Sequence, residues 1–157
     1  MLSILLGVGA LGGAAALSPS DRSRVELLVS HTVERVLPTM GYALSQRNNH
    51  AISEATFLLI ASMLRQRAGD AVDVRRKASA ALREAVNDQF ADDGSYAQYS
   101  FTYQRLALQT LLMLDLVCRQ FDVLPPVDLE PLFDRSLQLL ERVIDPMTGA
   151  MPNAGGN

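Results

Sequence analysis

The first residues that could carry chemistry are Asn48-Asn49-His50, which precede an apolar stretch beginning at Ala51. Asparagine is a common helix-capping residue, so the simplest interpretation of this tripeptide is the start of a helix. It could also bind an anion, because a helix N-terminus attracts negative charge and the amide and imidazole add hydrogen-bond donors there. Glu54, one turn after His50, could orient the imidazole or pair with it on the helix surface. The residues alone leave these interpretations open.

The second group lies in the segment Asp93–Arg105. This segment contains three of the four tyrosines of the chain, together with Gln98 and an arginine. Its composition is that of a polar turn leading into a helix, with aromatic rings packed over it. The same phenols, amide and guanidinium could instead contact a polar, negatively charged substrate. We expect a helix to begin near Ser100. Its start should lie at the same end of the fold as Asn48-Asn49-His50.

Together, the two segments resemble the heparinase II/III-like polysaccharide lyases. The resemblance rests on Asn-Asn-His followed by Ser-Glu-Ala and an apolar helix, and on Asp-Gly-Ser-x-x-Gln-x-Ser-x-x-Tyr-x-Arg-Leu beginning at Asp93. The closing segment Met151–Asn157 looks like the start of the family's next loop, of the type Pro-Asn-x-Gly-x-Asn-Asp. The resemblance covers residues 18–157. It implies an incomplete α/α toroid. In the family, this toroid is followed by an antiparallel β-sandwich.

The resemblance also implies a reaction and residue roles. The reaction is β-elimination at a 4-linked uronic acid, in heparan sulfate, alginate or a related uronan, and it leaves an unsaturated sugar at the new non-reducing end. By position, Asn49 would bind the uronate carboxylate, His50 would assist it or act as a base, and Tyr103 would lie near the leaving oxygen. Substrate-binding roles would fall to Asn48, Gln98, Tyr99 and Arg105. For Tyr99, as for Tyr96, packing is an equally good interpretation.

The residue types suit this elimination. The C5 proton of a uronate becomes acidic only when the adjacent carboxylate is neutralised, because proton removal places charge on that group. The Asn49 amide and His50 would stabilise this charge where it develops. A free tyrosine has a pKa of about 10, so Tyr103 is a natural proton donor at neutral pH. No pair of acids accompanies these residues, which disfavours two-carboxylate hydrolysis, and we expect neither a metal nor another cofactor.

Helices must position these residues, because no stretch of the chain shows the alternation typical of a strand. The sequence predicts an all-α fold in which six helices form three consecutive antiparallel hairpins. With the resemblance, this implies part of an incomplete α/α toroid. The polar segments 45–50, 92–103 and 149–157 recur at similar intervals. We expect them at one end of the stack, where distant segments could build one site.

Capping and breaking signals set the predicted helix bounds. Ser18-Pro19 begins the first clear helix, which runs to Pro38, and a loop is expected over Gly41–Asn49. Further helices are predicted from His50 to before Gly69, over 70–90, from Ser100 to Phe121, and over 132–144. The inner face of the helix from His50 is predicted to contain Ile52, Ala55, Leu58, Leu59 and Ser62. That of the helix over 70–90 contains Ala78, Ala81, Leu82, Ala85, Val86 and Phe90, and the helix from Ser100 runs through Leu106, Leu108, Leu112 and Leu116. Residues 1–17 lack the basic start of a signal peptide, which favours a core helix or the start of one.

Composition excludes several classes of protein. With 48% hydrophobic and 20% charged residues, the chain has a globular profile. A net charge of −3 from interspersed side chains gives no basic surface for nucleic acid, and the apolar residues 1–17 are too few to cross a bilayer. The expected partner is therefore an acidic polysaccharide, not nucleic acid or membrane. The single cysteine, Cys118, is expected to be buried. A periplasmic or secreted location is implied by the resemblance alone.

Residues 1–157 are expected to form one partial α/α-toroid domain that stops inside the third motif, without the family's β-sandwich. We therefore expect weak or no activity from this polypeptide alone. An apolar flank, normally covered by the next helices, would allow self-association. Two alternatives remain open. A uronyl C5-epimerase would abstract the same proton and return it to the opposite face, whereas a non-catalytic helical-repeat module would bind acidic glycan or protein without chemistry.

Overall fold

The computed structural model describes residues 17–65 and 68–152. Within these residues the helices are α1 (Pro19–Val36), α2 (Met40–Ser45), α3 (Asn49–Leu64), α4 (Ala71–Gln89), α5 (Phe101–Gln120) and α6 (Glu130–Val143), with a 3-10 helix, Leu37–Thr39, between α1 and α2. The same residues form no strand, and a lone backbone bridge pairs Phe90 with Tyr96. The prediction of an all-α fold is confirmed. The helix expected over residues 1–17 falls almost entirely outside the described residues.

The first clear helix begins where the sequence predicts. The Ser18 hydroxyl oxygen accepts a hydrogen bond from the Asp21 backbone N–H at 3.2 Å, and Pro19 occupies the first turn. The loop predicted over Gly41–Asn49 is wrong in its first half, because residues 40–45 form α2. Met40 and Ala43 are buried in this short helix. Their packing against the core overrides the low helix propensity of Gly41.

The α3 helix is the centre of the fold. It packs against α1, α2, α4 and α5, and the consecutive residues Leu58, Leu59 and Ile60 are all buried. The prediction of one apolar face on this helix is therefore too narrow. A helix that is apolar on all sides is found where neighbours surround it, and this is the case here.

The α4 helix confirms the predicted stripe. Its buried residues include Ala78, Ala81, Leu82, Ala85 and Val86, and Phe90 is buried directly after the helix. Three of these are alanines, and small side chains let two helix backbones approach closely. The α4 helix packs against α3, and its buried stripe is rich in alanine.

The α5 and α6 helices leave an apolar surface uncovered. Of the leucines that marked α5 in the sequence, Leu108 is buried, whereas Leu106, Leu112 and Leu116 are exposed. The buried face of α5 instead contains Ala107, Leu111, Leu114, Val117 and Cys118. A groove between α5 and α6 is lined by Leu108, Leu112, Phe133, Leu137 and Leu140. This groove is a candidate for the apolar flank, and self-association through it stays a prediction.

Composition led to two further expectations, a buried Cys118 and no membrane partner. Cys118 is buried, as predicted, and burial raises the pKa of its thiol to about 11. A thiol with such a pKa is almost entirely protonated at neutral pH and is therefore a poor nucleophile. Over residues 17–65 and 68–152, none of the helices combines the length and apolar character needed to cross a membrane.

Candidate functional site

One hydrogen bond joins the two segments that the sequence singled out. The backbone N–H of Asn49 donates to the side-chain oxygen Oε1 of Gln98 at 3.0 Å. These residues are 49 positions apart in the chain, and the bond is partly buried. The predicted loop segments 45–50 and 92–103 therefore meet. For the third segment, residues 153–157 lie outside the described part of the chain.

The start of α3 is capped by side chains. Oδ1 of Asn48 accepts from the backbone N–H of His50 at 3.0 Å, and the Asn48 carbonyl accepts from the Ala51 N–H at 3.2 Å. Since Gln98 takes the N–H of Asn49, the first three amide hydrogens of the helix are already bonded. An anion at this position would therefore meet mainly the side chains of Asn49, which is half-buried, and His50, which is exposed.

Two residues beside the Asn49–Gln98 hydrogen bond have a left-handed backbone. Arg47 has φ 48° and Tyr99 has φ 50°, a conformation that non-glycine residues rarely adopt. Arg47 is also tied to α4, because its Nη2 lies 2.7 Å from Oδ1 of Asp88. Unfavourable backbone conformations tend to occur at functional sites, where the surrounding structure maintains them. Both segments that meet here, 45–50 and 92–103, contain one residue with such a backbone conformation.

The loop before α5 distinguishes two tyrosines that the sequence could not separate. The Tyr96 ring is buried and packs against Phe90, with 4.9 Å between ring centroids. Its hydroxyl donates to Gln89 Oε1 at 2.7 Å, and burial raises its pKa well above the usual range. Tyr99, by contrast, is 86% exposed. Packing therefore explains why position 96 is a tyrosine, but it does not explain the tyrosine at position 99.

Gly94 fastens this loop to two helices. Its carbonyl oxygen accepts from Gln104 Nε2 at 2.8 Å and from the Ser136 hydroxyl at 3.3 Å, and both side chains are buried. A Cβ on Gly94 would lie 2.5 Å from the carbonyl carbon and oxygen of Arg135. Gln104 and Ser136 are not among the residues that the sequence marked as candidates, although a glutamine in line with the apolar positions of a helix is a signal of a buried polar contact.

Tyr103 and Arg105 lie at the start of α5. The backbone N–H of Tyr103 donates to Oγ of Ser100, the capping residue, at 3.4 Å. Tyr103 is half-buried and packs against the core, whereas Arg105 is exposed. The starts of α3 and α5 are thus linked through the short stretch from Gln98 to Ser100. The roles predicted for the seven candidate site residues stay predictions.

Glu54 adds an unusual carboxyl group one turn into α3. Its oxygen Oε2 is buried and has no hydrogen-bond partner in the described part of the chain. Burial raises the pKa of Glu54, and the nearby charge of His50 opposes this effect. The carboxyl is therefore not a simple surface partner of the imidazole. It carries a desolvation cost whenever it is ionised.

Replacing Glu54 with glutamine should stabilise the protein at neutral pH. A carboxyl whose folded pKa is raised favours folding below its ordinary value of 4.5 and loses that contribution as the pH rises through the folded pKa. Thermal unfolding of Glu54→Gln should therefore show a gain in Tm at neutral pH that shrinks towards acid. The matched control is Glu26→Gln, an exposed glutamate on α1. A gain that was the same at every pH would contradict this account.

The site contains no obvious metal centre. In residues 17–65 and 68–152, no group of three or more His, Cys, Asp or Glu side chains is placed to hold a metal ion. The candidate residues offer the amide of Asn49, the imidazole of His50 and the phenol of Tyr103, whereas Arg105 lines the groove between α5 and α6. The amide, imidazole and phenol can bind a carboxylate and transfer protons. Comparison of the chain with protein-family models, with curated proteins and with solved structures found no match.

Proposed function

We propose that this chain is the helical part of a polysaccharide lyase that cleaves 4-linked uronic-acid glycans by β-elimination. Its scaffold would be part of an incomplete α/α toroid made of antiparallel helical hairpins. The observation that carries the proposal is the hydrogen bond from the Asn49 N–H to Gln98 Oε1, 3.0 Å long. It supports the proposal because it joins the two motifs on which the resemblance to the lyases rests.

The proposed chemistry gives His50 one of two roles, assisting Asn49 or acting as the base, and gives Asn49 and Tyr103 one role each. The side chains of Asn49 and His50 bind the uronate carboxylate and stabilise the charge that develops on it. The base, His50 in the role that the resemblance gives it, removes the C5 proton, the C4–O bond breaks, and a double bond forms between C4 and C5. The Tyr103 hydroxyl protonates the departing oxygen. No water is consumed, because the leaving oxygen takes its proton from the enzyme.

The substrate-binding residues would share structural and binding roles. Each side-chain oxygen of Asn48 and Gln98 accepts a backbone hydrogen bond at the start of α3. Each residue could therefore offer its side-chain NH2 group to a glycan. This group donates hydrogen bonds and would suit a carboxylate or hydroxyl. Arg105 lines the groove between α5 and α6, where its guanidinium could pair with a carboxylate farther along the polymer.

The test measures binding and turnover separately, because a helical portion can bind a substrate without completing the reaction. Oligosaccharides of alginate, heparan sulfate and other uronans are titrated into the labelled protein, and amide resonances are followed by NMR. We expect the largest changes at residues 48–50 and 98–105. Turnover is followed by absorbance of the unsaturated product. If no uronan binds at these residues and no product forms, the proposal is wrong.

A non-catalytic glycan-binding module is the second candidate. It is favoured by one observation, namely that helix capping alone accounts for the side-chain oxygens of Asn48 and Gln98. Binding without unsaturated product, at an affinity that Tyr103→Phe leaves unchanged, would support this module over the lyase. A uronyl C5-epimerase would instead give inverted C5 stereochemistry with no cleavage of the chain.

A further inference from the structure

The exposed ring of Tyr99 is the starting observation. It is 86% exposed, whereas Tyr96, three residues earlier, is 3% exposed and hydrogen-bonded. The backbone φ of Tyr99, 50°, is one that glycine or asparagine adopts more readily. A tyrosine here is therefore unfavourable both for the backbone and for the ring that it leaves in water. Neither packing nor local backbone preference explains the residue.

The backbone around Tyr99 is held on both sides. Before it, Gln98 accepts the hydrogen bond from the Asn49 N–H at 3.0 Å. After it, Ser100 is buried and caps α5. The Tyr99 N–H itself donates to the carbonyl oxygen of Tyr96 at 2.9 Å. The ring therefore projects from a fixed point between the starts of α3 and α5, so a ligand that contacts it does not have to order the loop first.

We propose that Tyr99 is a stacking platform for a pyranose ring of the bound glycan, next to the sugar whose carboxylate Asn49 and His50 hold. This inference rests on the proposed function. The face of an aromatic ring carries partial negative charge and the C–H groups on one face of a pyranose carry partial positive charge, so the two faces attract and exclude water. The contact recognises the sugar ring and not its charge. The proposed site then has a neutral subsite beside a charged one.

The decisive variant is Tyr99→Asn, because asparagine tolerates the left-handed backbone and removes the ring. Titration calorimetry with uronan oligosaccharides should show Kd raised about five- to tenfold, while Tm stays equal or rises. Tyr99→Phe keeps the ring and should bind like the unmodified protein. Tyr42→Asn is the matched control, since Tyr42 is 70% exposed on α2. It should leave Kd unchanged.

Three results would overturn the platform: unchanged affinity in Tyr99→Asn, an equal loss in Tyr42→Asn, or a comparable loss in Tyr99→Phe. Oligosaccharides with carboxyl groups reduced to alcohols separate this inference from the proposed function. If reduced and acidic forms bind equally and Tyr99→Asn weakens both, the platform stands and the uronate site fails. If acidic forms bind more tightly and the Tyr99 variants change nothing, the platform alone fails. If neither form binds the unmodified protein, both fail.

Discussion

Replacing Gly94 with alanine should cause the largest loss of stability of any single substitution in the loop before α5. The added Cβ would lie 2.5 Å from the backbone carbonyl carbon and oxygen of Arg135, and these atoms cannot move without displacing α6. The backbone φ of Gly94, 84°, adds strain for any side chain. We expect the free energy of unfolding to fall by about 4 kcal/mol or more, within the range of severe single substitutions.

Gly149 provides a matched control for this substitution. It also has a positive φ, 70°, but a Cβ there would meet nothing within 4 Å. Gly149→Ala should therefore show the backbone cost alone, about 1–2 kcal/mol. Chemical denaturation of both variants gives the comparison directly. Equal losses would mean that the contact with Arg135 contributes nothing. In Gly94→Ala, NMR should also show a change at the Asn49 amide, because the same loop carries Gln98.

Replacing Tyr103 with phenylalanine should have the largest effect on the proposed reaction. The change removes the hydroxyl that would protonate the leaving oxygen and keeps the ring that packs against the core. General acid catalysis typically contributes about 10²–10⁴-fold to a rate. In any form of the protein that turns over a uronan, we therefore expect kcat to fall by about that factor. KM and the affinity for uronan oligosaccharides should change little.

The control for Tyr103→Phe is Tyr96→Phe. It removes a hydroxyl that precedes the same helix, but that hydroxyl is buried and donates to Gln89 Oε1. Its loss should cost about 1–3 kcal/mol of stability, because the buried Gln89 Oε1 loses its donor, and should leave turnover of the folded protein unchanged. Assays on the unsaturated product, at a temperature where both variants are folded, separate the two effects. Full activity in Tyr103→Phe would remove this tyrosine from the mechanism.

Local signals predicted the elements whose determinants are local. The Ser18 cap and the alanine-rich stripe of α4 follow directly from residue types and spacing. The sequence predicted less well where tertiary packing decides. Met40 and Ala43 become helical because they reach the core, and Leu112 stays exposed although its spacing is that of a core residue. Periodicity shows that a helix has an apolar face, but not how many neighbours will cover it.

The candidate site divides in the same way. That residues 45–50 and 92–103 meet could be predicted from the interval between them. The atoms that join them could not, because a bond from a backbone N–H to the side chain of Gln98 leaves no pattern in a single sequence. For the attachment of Gly94 to Gln104 and Ser136, the position of Gln104 in line with the apolar residues of α5 indicates a buried polar contact, but nothing in the sequence identifies the partner atom. Side-chain exposure, which separates Tyr96 from Tyr99, is likewise a property of the folded chain.

The burial of residues 55–63 of α3 on every side decides which part of the proposed site can adapt to a ligand. Shifting a helix that is packed against α1, α2, α4 and α5 would disturb all four contacts at once. Asn49 and His50 at its start are therefore a stationary reference. On the other side of the proposed site, the backbone of residues 91–100 is held at Gly94 and Gln98, but the side chain of Tyr99 is exposed. Adjustment to sugars of different shape should therefore come from rotation of that side chain.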